Sequence, residues 1–95
     1  MNKGVSIKLS VVITKQGKSF VAYSPALDIS TVGKSERDVR SKFEELVNIF
    51  LEEITQAGTM EEVLSELGWR KQQKRWNPPQ IISAKSIGVQ VPALV

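Results

Sequence analysis

No histidine and no cysteine occurs among the 95 residues of this chain, which removes at one stroke the usual general base and the usual thiolate nucleophile. A serine nucleophile would have to rely on a lysine or carboxylate base, and neither a Ser-x-x-Lys pair nor a nucleophile elbow is present. Carboxylates come as the neighbours Glu44-Glu45, Glu52-Glu53 and Glu61-Glu62. Adjacent helical residues point about 100° apart, so these pairs read as solvated helix surface rather than acid–base dyads. Asp28, Asp38 and Glu44 can be drawn together as a magnesium site, but Mg²⁺ is usually held through one or two carboxylates plus phosphate or water, and nothing here supplies a phosphate cradle. Gly33-Lys34-Ser35 lacks the upstream glycine of a P-loop. The chain is therefore expected not to be an enzyme and to need no metal or cofactor.

The strongest local cluster is basic. Arg70, Lys71, Lys74 and Arg75 lie between Trp69 and Trp76. Cations bind phosphates and indoles stack on bases, so this segment is a nucleic-acid candidate. The competing reading makes both tryptophans core anchors and the basic side chains cover for a loop or strand edge.

Charge is segregated along the chain. The net +3 hides an interval from Asp28 to Glu66 that carries all ten acids and only four bases, Lys34, Arg37, Arg40 and Lys42, for a local balance of −6. The remainder is +9. An acidic middle of this kind can steer a basic partner, or it can be an ordinary solvated helix surface.

The elements that must position these groups follow from periodicity. Val5, Ile7, Leu9, Val11 and Ile13 alternate with Ser6, Lys8, Ser10 and Thr14, which predicts a half-buried strand with Val12 as an apolar residue on the polar face. Gln16-Gly17 supplies a tight turn. A second strand is expected over Lys18–Tyr23, ended by Pro25, and a short third one over Ile29–Val32, closed by Gly33.

Ser35 then caps a helix with Glu36 and Asp38 in its first turn. Val39, Phe43, Leu46, Val47, Phe50, Leu51 and Ile54 form its apolar stripe, and Gly58 stops it. Ile49 points away from that stripe, toward another subunit or beneath a second helix. Thr59 and Glu62 have capping-box spacing for a second helix with Met60, Val63, Leu64 and Leu67 inside, followed by Gly68 at the left-handed terminal position and Trp69 folding back. Pro78-Pro79 forms a stiff break, and Ile87, Val89 and Val91 predict a last strand over Ala84–Val91.

The expectation is a single α+β domain over residues 1–95, ordered β-β-β-α-(α)-β, with helices on one face of an antiparallel sheet. Val12, Val21 and Tyr23 would lie on the other face, either as a contact surface or as scattered apolar groups of no consequence. A core this small favours oligomerisation, to a dimer or tetramer. No apolar run is long enough to span a membrane and no signal peptide is apparent, so a cytoplasmic location without membrane attachment is expected.

The order Phe20-Val21-Ala22-Tyr23-Ser24-Pro25-Ala26-Leu27-Asp28, Thr31-Val32-Gly33-Lys34-Ser35 and Glu36 to Leu46 resembles the core motif of the HicB-like antitoxin family, and Leu67-Gly68-Trp69 is also similar to some members. The resemblance spans roughly residues 7–91. It implies a β-β-β-α-β fold like that of double-stranded-RNA-binding domains. It also implies homo-oligomers and, as partner, a small basic HicA-type RNase toxin whose active site the antitoxin occludes. Tyr23, Pro25 and Asp28 would shape the corner, and Glu44 and Glu45 on the acidic helix would help steer the toxin. Ala26 and Asp28-Ile29-Ser30 depart from the family's usual residues. The 19 residues from Asn77 to Val95 are too few for the helical DNA-binding module of many members, so a stand-alone core is expected.

Overall fold

The structure, a computed structural model, describes residues 7–93. Three antiparallel strands come first: β1 (Val12–Gln16), β2 (Ser19–Ser24) and β3 (Ile29–Gly33), in the spatial order β1-β2-β3. Helices α1 (Glu36–Gln56) and α2 (Met60–Glu66) follow, and a separate two-stranded sheet, β4 (Arg70–Gln72) and β5 (Arg75–Asn77), comes last. The fold is α+β, as the periodicity predicts.

Ala22 of β2 opposes Ile13 and Thr31, and Tyr23 opposes Val12 and Ser30. That register puts Ile13, Phe20, Ala22, Ser24, Ile29 and Gly33 on the helix side and Val12, Thr14, Val21, Tyr23, Ser30 and Val32 on the other. The core joins Ala22 of β2 and Ala26 and Leu27 of the β2–β3 loop to Val39, Phe43, Val47 and Ile54 of α1, with Leu64 and Trp69 closing its end. Gly33 is needed for close approach. A Cβ there would lie 2.6 Å from the Val39 backbone nitrogen.

Local chemistry fixes both helix ends. Ser35 Oγ accepts from the Asp38 amide at 3.0 Å, and the Asp38 carboxylate accepts from the Lys34 amide at 2.8 Å. Gly58 and Gly68 take φ 72 and 93. At each, the next residue's amide reaches back to the third-last helical carbonyl, Thr59 to Ile54 and Trp69 to Leu64, both at 2.9 Å.

Four expectations are corrected. The first strand starts at Val12 rather than Val5; residues 7–11 lack ladder pairing, and residues 5 and 6 lie outside the described residues. Thr59 makes no side-chain capping bond, because its backbone sits at φ −109, ψ 8, away from the extended geometry a capping side chain needs, and its amide, which a capping box would give to Glu62, is committed to Ile54. The last strand is not at Ala84–Val91, which has no pairing. The strands after α2 are instead β4 and β5, joined by Gln73-Lys74 with φ 51 and 65. Ile49 is 47% exposed, so it does not lie under α2.

Candidate docking surfaces

The corner between β2 and β3 is a four-residue loop, Pro25–Asp28, whose middle is buried and whose ends are exposed. Ala26 and Leu27 pack inward. The Trp69 indole Nε1 donates to the Ala26 carbonyl at 2.8 Å across a separation of 43 residues, which ties the corner to the far end of α2. Asp28 closes the loop in the left-handed region at φ 55, its amide donating to the Ser24 carbonyl at 2.8 Å. Its carboxylate accepts from the Tyr23 hydroxyl at 3.0 Å. That hydrogen bond, with lesser help from partial desolvation and the Asp28 charge, holds the Tyr23 phenol above its ordinary 10.0. Tyr23 and Asp28 are thus joined by a hydrogen bond, and Pro25 lies exposed in the same corner.

Tyr23 belongs to the sheet face that no helix covers. Val12, Tyr23 and Val32 stand on it 53%, 38% and 54% exposed, with Val21 half-buried between them. Val32 joins this patch because it opposes Val21 across the β2–β3 ladder. The signal for it was a period-two assignment of faces carried through the Pro25–Asp28 loop into β3.

Glu44 and Glu45 are exposed on α1, in the layer behind the sheet, so the structure does not bring them together with Tyr23 and Asp28. Glu44 lies on the rim of a groove of about 560 Å³ that it lines with Arg40, Phe43 and Val47 on one wall and Ile7, Leu9, Val11 and Ile13 on the other. Among the described residues no three acidic side chains converge as metal ligands would. Asp28 bonds Tyr23, while Asp38 bonds the Lys34 amide and pairs with Lys42 Nζ at 3.2 Å. The Lys34 amide bond first, then Lys42, pull the Asp38 carboxyl below its ordinary 3.8.

The basic segment is the β4–β5 hairpin. Arg70, Lys71, Lys74 and Arg75 are all exposed. Lys71 opposes Trp76 and sets its ammonium 5.8 Å from the indole centroid. Arg70 and Arg75 fall on the opposite face of the ladder, and Lys74 sits in the turn. Trp69 is a core residue with its N–H satisfied, and Trp76 is half-buried against the same core. The anchoring role therefore holds for both tryptophans. The four cations remain available to solvent, without a free indole pair between them.

The fold and these surfaces define a small α+β domain with one helix-covered and one bare sheet face. Comparison with protein-family models, with curated proteins and with solved structures gave no match. Among the described residues no helix is long and apolar enough to cross a membrane.

Proposed function

We propose that this chain is a non-enzymatic protein-interaction module of the HicB-like antitoxin kind, which binds and occludes a small basic HicA-type RNase toxin in the cytoplasm. The observation that carries this reading is the bare sheet face. Val12 pairs with Tyr23 and Val21 with Val32 on one sheet face beside the hydrogen-bonded Tyr23–Asp28 corner. Val12, Tyr23 and Val32 are exposed there, and among the described residues no helix is placed to cover them. Exposed apolar surface of this kind, rimmed by polar groups, suits a protein partner better than a small substrate. The acidic helices supply the field. Glu44, Glu45, Glu52, Glu53, Glu61 and Glu62 are all exposed, and a negative surface accelerates encounter with a basic toxin even where it does not touch the toxin in the final complex. The chain acts as a homo-oligomer in this reading.

Co-expression with a small basic protein encoded in the adjacent reading frame tests it. The expected outcome is co-purification and relief of that protein's RNase toxicity. If no such protein is encoded there, or toxicity persists, the antitoxin reading fails.

A second reading rests on the β4–β5 hairpin, whose four exposed cations suit RNA phosphates. It predicts binding to single-stranded RNA that weakens steeply with salt, the slope becoming shallower by roughly 0.7 for each phosphate-binding cation removed. Affinity indifferent to salt and to Arg70→Ala, Lys71→Ala, Lys74→Ala and Arg75→Ala would remove it.

A further inference from the structure

The C-terminal segment is exposed throughout from Pro79 to Ala93 and has no ladder partner, yet its sequence is that of a strand. Ile87, Val89 and Val91 alternate with Ser86, Gly88 and Gln90, and those three apolar side chains are 76–79% exposed. Beyond Ile81, the last of its residues to line a cleft with the body, the segment is exposed and unpaired. The long axis of the molecule is 60 Å against 28 and 21 Å for the other two. The Cα radius of gyration is 16.5 Å, where a compact domain of this length would have about 12 Å. An extended apolar arm gains nothing from water and has every reason to find a sheet edge.

The body offers one edge of matching character. β1 pairs with β2 on one side only, so its other edge presents unpaired backbone groups. α1 lies over β2 and β3 rather than over β1, and a groove lined by Ile13 of β1 and by Ile7, Leu9 and Val11 of the segment leading into it stays open. A fourth strand added beside β1 would satisfy that edge. It would also turn every second side chain into the groove against Phe43 and Val47. The register that sends Ile87, Val89 and Val91 inward sends Gln90 outward, on the same face as Thr14.

We propose that the arm of one copy, residues 84–91, adds as a strand to the free β1 edge of a second copy and fills its α1-side groove, in a reciprocal two-fold exchange. The proposal supplies a mode for the homo-oligomer proposed above and rests on that part of the reading alone.

The arm's own exit argues against closure within one chain. Pro79 lies against Gly68, and Pro78, Pro79 and Ile81 line a cleft with Lys8, Ser10 and Pro25, so the arm is held to the body up to that point. Beyond that point residues 82–93 are exposed and unpaired, so the arm leaves its own β1 edge uncovered. An extended run from Ile82 to Ala93 reaches about 40 Å, ample for a neighbouring copy.

Sedimentation velocity on the full chain and on Ile87→Asp/Val89→Asp is the first test. The native chain should sediment as a dimer and the variant as a monomer that keeps the native far-ultraviolet circular dichroism but melts lower, as loss of a stabilising partner requires, while Gln90→Glu, on the outward face, should stay dimeric. A native monomer would overturn both the arm exchange and the oligomer reading. A dimer indifferent to Ile87→Asp/Val89→Asp would overturn the exchange alone. The second test locates the contact. The chain has no cysteine, so Thr14→Cys and Gln90→Cys chains of different tag can be mixed and treated with a bismaleimide. Cross-linking between unlike tags is expected. A Thr14→Cys/Gln90→Cys chain that closes only on itself would place the arm on its own edge and contradict the proposal.

Discussion

β1 and β3 are the two edges of one sheet and have five residues each, yet they sit in opposite circumstances. β3 is pressed under α1, with Gly33 buried against the Val39 backbone and Ile29 half-buried. β1 has four exposed positions of its five, and its helix side opens on a groove. The difference is one of helix placement. A single 21-residue helix can roof two strands closely, and where it is offset toward β3, β1 is left with its helix side uncovered; the outer backbone edges of both strands are unpaired. Stability is therefore concentrated in β2, β3 and the helices, and the surfaces fit for docking are concentrated around β1 and the outer face.

Substitutions on the two sides should separate accordingly. Leu64→Ala, in the fully enclosed end of the core, should lower the unfolding free energy by about 2–5 kcal/mol, as read by denaturant titration. Gly33→Ala drives a Cβ into the Val39 backbone at 2.6 Å and should cost about 1–3 kcal/mol. Trp69→Phe keeps an aromatic ring but shrinks it and strips the donor from the Ala26 carbonyl, which should cost about 1–3 kcal/mol. On the other side, Val12→Thr should stay within about 0.5 kcal/mol of the native chain. A Val12→Thr loss as large as that of Gly33→Ala would erase the contrast between the two edges.

The smallest effects are protonic and fall on one group from each side. Tyr23 is the only tyrosine, so its ultraviolet titration is unambiguous. Its midpoint should lie above 10.0 and fall back toward that value in Asp28→Asn. The phenol's folded-state value is raised, so its contribution is complete below the ordinary value and is lost as pH rises through the folded one. Asp38 works the other way. Its folded-state value is lowered, so its contribution is complete above about the ordinary 3.8 and is lost as acid takes pH down through the folded value. Asp38→Asn should remove that acid-side slope.

The helix stripe and the open outer face were legible in the sequence, and the later part of the chain was not. Val39, Phe43, Val47 and Ile54 recur with the period of a helix and are buried as that period requires. Ser35 and the two glycines mark the ends because their conformations have few substitutes. The β4–β5 hairpin carried no such mark. Its turn residues, Gln73 and Lys74, are not those that usually take positive φ, and only the packing of Trp69 and Trp76 on the core makes that turn worthwhile. The alternation of Ile87, Val89 and Val91 was legible as a strand preference, but periodicity reports a side chain's preference for a face and says nothing of whether its own chain provides one. At Thr59 the capping-box spacing misled because the amide already closes the preceding helix.

The central claim is that the sheet face bearing Val12, Tyr23 and Val32 is for docking a basic protein. Calorimetric titration of the adjacent-frame basic protein into the native chain and into Val32→Glu tests it most directly. Binding by the native chain, with loss in Val32→Glu at an unchanged unfolding midpoint, is the predicted result. Equal binding by both chains would contradict it.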